Sequence, residues 1–497
     1  MNHPLALTLP SQSLEYTSVA KSPALLGDGD PEGVGGVAYS NHGAKVHLHK
    51  VSGKYSRADY YGGIIFAGGS ARADITSCNF RSCQAGKGGG AVHAEGADTK
   101  VSMNRTHLVN LAAGLRGAGL HAMDKSTVTM SDCEFSLLRL MCGRKFGDKA
   151  TADKFREGAG AMFRPVVKAN REIDPNTIAN PFHYTNAADS ASCSGAGIYA
   201  SDGSSVIGGD HPDSNVFENL SADRGAGIAV CGTTVHVSGM TMRGLSSIQG
   251  AGFYMASSTW SKSTHAVMGG GDEDQNATSR ATNATEPSVL PPPSITPTAA
   301  LVSHIAFADT NASAGGGVFF SVGSPSNVLK VRHIHVHNAA ANLGAVFYLQ
   351  RGGNASVQMF HMQELHAEVD AAVGWISGGS VLHLDSGHIT NTSAGDRAGA
   401  FFVDGESVAH AAHTVASGTR ASTTGGFFFA TGRSTVTLDD STVLKSSAGT
   451  AGGFAFLTGG SMLNLYGIST VQGAKAGTHG GAIYAELASQ VVGGGAS

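Results

Sequence analysis

Short runs of small residues followed by an aliphatic and an aromatic residue recur along the chain, as in Gly62-Gly-Ile-Ile-Phe66 and Gly480-Gly-Ala-Ile-Tyr484. Near both ends of the chain the copies are 27 or 28 residues apart. A constant period of this length indicates a solenoid in which each repeat adds one coil. The clearer copies end at Phe66, His93, His121, Tyr199, Tyr254, Phe319, Phe429, Phe456 and Tyr484, and looser ones at Tyr39, Phe163, Ala229, Phe347, Trp375 and Phe402.

Two further patterns fill the period. An apolar-x-Asn-x-x-Ala phrase, such as Leu108-Val-Asn-Leu-Ala-Ala113, precedes many copies. Segments such as Ser434-Thr-Val-Thr-Leu438 alternate strictly, as a strand does. Three short strands per repeat, with Gly and Asn at the corners, predict an all-β, single-stranded parallel β-helix of about fifteen coils of about 27 residues. Parallel crossovers are almost always right-handed, so we expect a right-handed helix.

Each repeat position becomes a ladder because neighbouring coils stack about 4.8 Å apart. Alternation along the strand predicts an inward aliphatic ladder and an outward aromatic one. We assign Ile65, Val92, Leu120, Ile198, Ile228, Val318, Val346 and Ile483 to the inward ladder. If the aromatic ladder is exposed, it marks a binding surface, with Phe402, Phe429, Phe456 and Tyr484 as candidate ligand-binding residues. The other interpretation is plain packing, with the rings stacked on one another or covered by loops.

Residues 1–497 are predicted to form one continuous β-helix interrupted by three loop insertions. The insertions are residues 143–157, 165–190 and 257–300. The last contains Asp272-Glu-Asp274 and Pro291-Pro-Pro293, a composition typical of a solvated and disordered loop.

Composition narrows the function classes. The chain has 69 Gly in 497 residues, 14% charged residues and a formal net charge of −4. The charge balance provides no basic field for nucleic acid, and no apolar run is long enough to span a membrane as a helix. The sequence predicts a monomer or part of a larger chain.

Signals for cell location conflict. The segment Met1–Pro10 has neither the basic nor the apolar part of an export signal. Asn-x-Ser/Thr acceptor sites for glycosylation instead favour a secreted chain. Because the chain starts and ends within the repeat, we expect a fragment of an extracellular or cell-surface protein. The acceptor sites are Asn104, Asn219, Asn276, Asn283, Asn311, Asn354 and Asn391.

Histidines give the most concentrated chemical pattern. His333, His335 and His337 alternate with Ile334 and Val336, so the three imidazoles are expected on one strand face. Imidazoles two residues apart can bind one metal ion, which makes this trio a candidate metal site. A solvated strand face also accepts histidines without any ligand.

Acidic residues and cysteines give fewer indications of a functional site than the histidines do. The pair Asp439-Asp440 resembles a glycosidase carboxylate pair, but Asp440 aligns with Asp132 in the repeat, which favours a turn residue. Asp28-Gly-Asp-Pro-Glu-Gly33 begins like a calcium loop, but Tyr39 occupies its twelfth position, so we predict no cofactor, with Ca²⁺ as the alternative. Local disulfides Cys78–Cys83 and Cys133–Cys142 compete with free buried thiols. No residue is assigned a catalytic role.

The Gly-Gly-Ala-Ile-like and Phe-x-x-Asn-like phrases resemble the repeats of the polymorphic outer-membrane protein family, within the pectate-lyase-like class of β-helices. That resemblance covers nearly the whole chain and implies a surface-displayed, adhesin-type passenger. We therefore expect a scaffold that binds a glycan or a cell-surface protein along one face. The alternative is a polysaccharide lyase, hydrolase or epimerase of the same fold. A third hypothesis, ice binding, has only the Thr127/Thr129 and Thr435/Thr437 pairs to support it.

Overall fold

The computed structural model describes residues 35–58, 60–140, 194–209, 214–256, 298–322 and 327–493, together with three short strands between residues 11 and 24. These residues form parallel strands without a helix, which confirms the predicted all-β solenoid. The described part of the chain accordingly contains no helix with the length and apolarity needed to cross a membrane. The predicted insertions fall almost wholly outside these residues; residues 298–300 belong to a coil, since Thr298 is buried and a strand begins at Ala299.

One wall of the solenoid is a parallel sheet of fourteen strands among the described residues, which we name the small sheet. The fourteen strands span thirteen turns of the solenoid, whereas about fifteen coils were expected. The sheet passes directly from Leu120 to Ile198, and the loose copy ending at Phe163 lies outside the described residues. The strands are Ala38–Ser40, Ile65–Ala67, Val92–Glu95, Leu120–Met123, Ile198–Ser201, Ile228–Cys231, Phe253–Ala256, Phe319–Val322, Phe347–Gln350, Gly374–Ser377, Phe401–Val403, Phe428–Ala430, Ala455–Leu457 and Ile483–Ala485.

The rest of each coil bends around two corners and forms a sheet of 26 strands among the described residues, with a separate sheet of five two-residue strands in the early coils; we name these strands together the large sheet. A coil near the N-terminal end contributes Arg72–Thr76, Asn79–Arg81 and Gln84–Ala85. With the small-sheet strand this makes four strands per coil, one more than predicted. The two-residue strands were missed because a strand this short carries no readable alternation.

Strand bounds in the large sheet change along the solenoid. The early coils contain Ser11–Glu15, Ser18–Ala20, Pro23–Ala24, Lys45–His49, Ser52–Lys54, Arg57–Ala58, Arg72–Thr76, Asn79–Arg81, Gln84–Ala85, Lys100–Asn104, His107–Val109, Ala112–Ala113, Thr127–Ser131, Glu134–Ser136, Arg139–Leu140, Ser205–Ile207 and Asn215–Glu218. In the middle coils the segments merge into Thr234–Arg243, Ser246–Gln249, Ala299–Gly315, Val328–Leu343, Asn354–Asp370, Val381–Ala394 and Val408–Ala421. The last coils contain Thr435–Asp439, Thr442–Leu444, Ser447–Ala448, Met462–Tyr466, Thr470–Gln472, Lys475–Ala476 and Gln490–Gly493.

Left-handed backbone at the corners explains the repeated Asn and Gly. Asn110, Asn219, Asn338 and Asn391 all have φ between 53° and 55°. Asn tolerates this conformation better than other side chains do. At the corner before the small sheet, a Cβ on Gly62 would lie 2.3 Å from the carbonyl oxygen of Ile65, so this position requires glycine.

The core lies inside the coil and confirms most of the aliphatic ladder. Ile65, Val92, Leu120, Ile198 and Ile228 pair in register, each buried. At Phe253, Phe319 and Phe347 the inward ladder becomes aromatic. Val318 and Val346 are buried in the core as predicted, but one position before the ladder, so the outward placement of Phe319 and Phe347 was wrong. The error arose because Gly315-Gly-Gly-Val-Phe-Phe320 allows two frames one residue apart, and a one-residue slip exchanges the two faces.

Candidate functional site

The outward side of the small sheet carries an unbroken ladder of eight rings. Its members stack with centroids 4.6–5.5 Å apart and planes within 19° of parallel. This spacing matches the separation of neighbouring strands, so each ring covers the faces of its neighbours. We name it the aromatic ladder; it consists of Tyr254, Phe320, Tyr348, Trp375, Phe402, Phe429, Phe456 and Tyr484.

The four candidate ligand-binding residues lie at one end of this ladder. Phe402 and Phe429 are only 4% and 6% exposed, while Phe456 and Tyr484 are half-buried. Sugar rings stack on the faces of aromatic rings, and these faces are occupied by neighbouring rings. The packing interpretation therefore describes Phe402 and Phe429 better than an open platform does.

An ion pair between half-buried Arg397 and buried Asp370 covers part of the aromatic ladder. The Arg397 guanidinium lies 4.8 Å from the Phe402 ring and 5.1 Å from the Phe429 ring. Its Nη2 donates to Asp370 Oδ2 at 2.7 Å, and its backbone N–H donates to Asp370 Oδ1 at 2.9 Å. Burial raises the pKa of Asp370, against the opposing effect of the Arg397 hydrogen bond. The pair fixes Arg397 over the rings.

An open depression of about 630 Å³ lies on the outward face of the large sheet. It crosses five adjacent strands and mixes apolar, amide and basic side chains, with Ile207 41% exposed at one end. Lys330 and Arg332 are both exposed, and neither forms an ion pair with a described residue. We name this depression the basic groove; its outward-facing lining consists of Ile207, His236, Ser238, Leu301, Ser303, Lys330, Arg332, Ser356 and Gln358.

The groove was not predicted from the sequence, in which the neighbouring histidines were chosen as the candidate site. Lys330 and Arg332 are two residues apart in an alternating strand, so both face outward beside inward Leu329 and Val331. That spacing was the available signal. No acidic residue occurs among the described residues that line the groove.

The predicted histidine trio is divided by a corner. His333 has φ 54°, and its ring stacks on His304 with centroids 4.5 Å apart. His335 and His337 lie beyond the corner on the next strand segment. Ile334 and Val336 are buried between the histidines, as the alternation predicts, but left-handed backbone places His333 at the corner and not on the strand segment of His335 and His337. In the described part of the chain, no group of three or more His, Cys, Asp or Glu side chains is arranged to hold a metal ion.

Beyond the corner the histidines form ladders across coils. His335, His361 and His388 follow one another with ring centroids 6.0 Å apart, and His337 Nε2 lies 3.2 Å from Glu364 Oε2. These rings are tilted and exposed or half-buried, unlike the aromatic ladder.

Before the corner, His383 and His410 pair in register on neighbouring strands, with Nδ1 atoms 3.4 Å apart. Burial, followed by the charge of His410, lowers the pKa of His383. His413 Nδ1 lies 3.0 Å from Asp385 Oδ1, and this hydrogen bond raises the pKa of His413 and lowers that of Asp385. His383 and His410 are one repeat apart, a signal in the sequence that was not used.

A second histidine pair is buried within the small sheet. His93 and His121 are 0% and 3% exposed, and their Nδ1 atoms are 3.1 Å apart. His93 Nε2 lies 2.9 Å from Glu95 Oε2, and the Tyr61 ring stacks on His93 at 4.3 Å. Because the Glu95 carboxylate only accepts, His93 donates to it from Nε2. The pair is thus an internal contact of the small sheet, closed to solvent.

The remaining candidates from the sequence are an acidic turn residue, the cysteines and a loop that resembles a calcium site. Asp440 has φ 42° and its carboxylate accepts from the backbone N–H of Ile468 at 2.8 Å, which confirms the turn interpretation. Cys78, Cys83 and Cys133 are free and buried, so the Cys78–Cys83 disulfide does not form. Burial raises the pKa of Cys83 to about 12 and that of Cys133 to about 11, which keeps both thiols protonated. Cys142 and the Asp28–Gly33 segment lie outside the described residues.

Comparisons with protein-family models, with curated proteins and with solved structures yield no match to this chain.

Proposed function

We propose that this protein is an extracellular or cell-surface scaffold of the adhesin type, which binds an acidic glycan along the basic groove. Two exposed cations, Lys330 and Arg332, which form no ion pair with any described residue, are the observation that carries the proposal. Carboxylate and sulfate groups on a polysaccharide would form charge-assisted hydrogen bonds with them. The repeat resemblance to surface-displayed β-helices supports the location, and the glycosylation acceptor sites agree with it.

The shape of the groove supports an extended ligand. Strands about 4.8 Å apart repeat the outward side chains at regular intervals, so a polymer running along the solenoid axis meets one set per coil. Ile207 and Leu301 offer apolar contacts to sugar C–H groups, and Gln358 offers both a donor and an acceptor to hydroxyls. Binding therefore does not depend on the aromatic ladder.

The first experiment incubates the purified protein with acidic and neutral polysaccharides, with and without Ca²⁺. Retention of the polysaccharide, new reducing ends and unsaturated products are followed together. We expect retention of acidic members without cleavage, weakening as salt is added because surface charges are screened. Cleavage would instead support the alternative of a lyase, hydrolase or epimerase, in which the two cations neutralise a substrate carboxylate.

The variant Lys330→Ala/Arg332→Ala tests the groove. It should weaken retention by about tenfold or more, since two charge-assisted hydrogen bonds are lost. The matched control is Lys45→Ala/Arg72→Ala, which removes two outward cations from neighbouring strands of the same sheet at distant coils. Equal retention by the groove variant and the wild type would show that the groove is not the site.

A further inference from the structure

His383 and His410 are placed as a pair of metal ligands. They face outward from neighbouring strands in exact register, with the inward residues Leu382, Leu384 and Ala409 buried beside them. Because these neighbouring residues are buried, the backbone that carries both imidazoles is held in place. His383 is exposed and His410 is half-buried, so solvent reaches the pair.

The distance between the two rings fits a chelate better than a hydrogen bond. Their Nδ1 atoms are 3.4 Å apart. Two imidazole nitrogens bound to one tetrahedral Zn²⁺ at about 2.0–2.1 Å each lie about 3.3–3.4 Å apart. A direct N–H hydrogen bond prefers a heavy-atom distance of about 2.7–3.2 Å. From this match we propose that His383 and His410 together bind a divalent transition-metal ion.

The chemistry of the donors selects the class of metal. Neutral imidazole favours Zn²⁺, Cu²⁺ and Ni²⁺ over Mg²⁺ and Ca²⁺, which prefer oxygen. Two protein ligands leave the remaining positions to water or to a donor atom from a bound molecule. Asp385 lies on the same strand, but its carboxylate Oδ1 is held by His413 at 3.0 Å. The site therefore consists of two imidazoles and accessible coordination positions.

Two other histidine pairs in the described residues show the difference in solvent access or in distance. His93 and His121 have Nδ1 atoms 3.1 Å apart, within hydrogen-bond range, but both rings are buried. His361 and His388 face solvent, but their ring centroids are 6.0 Å apart, against 5.5 Å for His383 and His410, and His361 Nε2 already lies 3.2 Å from Gln363 Oε1. His361 and His388 therefore provide the matched control, because their removal takes one outward histidine from the coil of His383 and one from the coil before it.

The experiment measures Zn²⁺ binding by equilibrium dialysis and the number of nitrogens on bound Cu²⁺ by electron paramagnetic resonance. It uses the full chain without a histidine tag. The wild type should bind one tighter equivalent with two nitrogen ligands. His383→Ala and His410→Ala should each weaken that equivalent by at least about tenfold, and the double variant should add little, because one imidazole no longer chelates.

The same measurements on a control variant test whether binding is specific to His383 and His410. His361→Ala/His388→Ala should retain the tighter equivalent, and circular dichroism should show that every variant keeps its strands. Unchanged Zn²⁺ affinity in His383→Ala would overturn the proposal. So would an equal loss in the control, because binding would then follow the number of histidines and not this pair.

Discussion

Two ladders of ring side chains face outward from this solenoid, and they differ in what covers them. In the aromatic ladder the planes of neighbouring rings are within 19° of parallel, and Phe402 and Phe429 are almost fully buried. In the His335–His361–His388 ladder the rings are 6.0 Å apart, tilted, and exposed or half-buried. Both ladders obey the same repeat.

The difference shows that facing outward is not the same as being accessible. Apolar rings gain free energy by closing on one another at the spacing of the coils, which hides their faces. Imidazoles keep polar nitrogens that prefer water or a partner, so they remain apart. A column of aromatic residues in a β-helix is therefore evidence of packing first, and the polar columns are better places to look for a ligand.

Substitutions of Phe428 and Phe429 to Ala test this most strongly. Phe428 faces the core and Phe429 faces outward, yet they are 1% and 6% exposed. We expect Phe428→Ala to lower the free energy of unfolding by about 3–5 kcal/mol, and Phe429→Ala by about 2–4 kcal/mol, since its cavity opens toward solvent. Denaturant unfolding, with amide hydrogen exchange to follow individual coils, measures both.

The control for this comparison is His361→Ala in the histidine ladder. It should change the free energy of unfolding by less than about 0.5 kcal/mol, as expected for a surface substitution. If Phe429→Ala were as harmless as His361→Ala, the aromatic ladder would be a surface platform and the comparison would fail.

Breaking the ion pair over the aromatic ladder should lower the free energy of unfolding by less than the Phe substitutions do. Asp370→Ala removes the acceptor of the Arg397 backbone N–H and guanidinium, at a site where Asp370 is 2% exposed. We expect a loss of about 1–3 kcal/mol, because donors in a largely buried site lose their partner. Glu406→Ala breaks the exposed pair with Arg433 and should cost less than about 0.5 kcal/mol. Equal losses in denaturant unfolding would show that burial of Asp370 is not the cause.

The sequence predicted the fold well because each coil repeats the same local rules. Period, alternation and corner residues together specified the parallel solenoid and the inward positions of Ile65 and Ile198. The prediction failed where alternation allows two assignments of inward and outward residues, as in Gly315–Phe320. There the assignment depends on which glycine takes a φ near 63°.

The candidate site was less predictable because it depends on contacts between coils. His383 and His410 are one period apart in the sequence, but the 3.4 Å distance between their nitrogens depends on both side-chain conformations. The burial of Phe402 depends likewise on Arg397 and on neighbouring rings. Neither can be read from spacing alone.

The smallest effect is a pH dependence on the exposed histidine face. Asp385 has a lowered pKa in the folded protein, so its contribution to stability is present above its ordinary value of 3.8 and is lost as the pH falls. His413 has a raised pKa, so its contribution is complete below its ordinary value of 6.5 and is lost as the pH rises through the folded value. The pair therefore stabilises the fold most between about pH 4 and pH 6.5. His413→Ala should lower the melting temperature slightly at pH 5 and leave it unchanged at pH 9, whereas an equal difference at both values would mean that the ion pair contributes nothing.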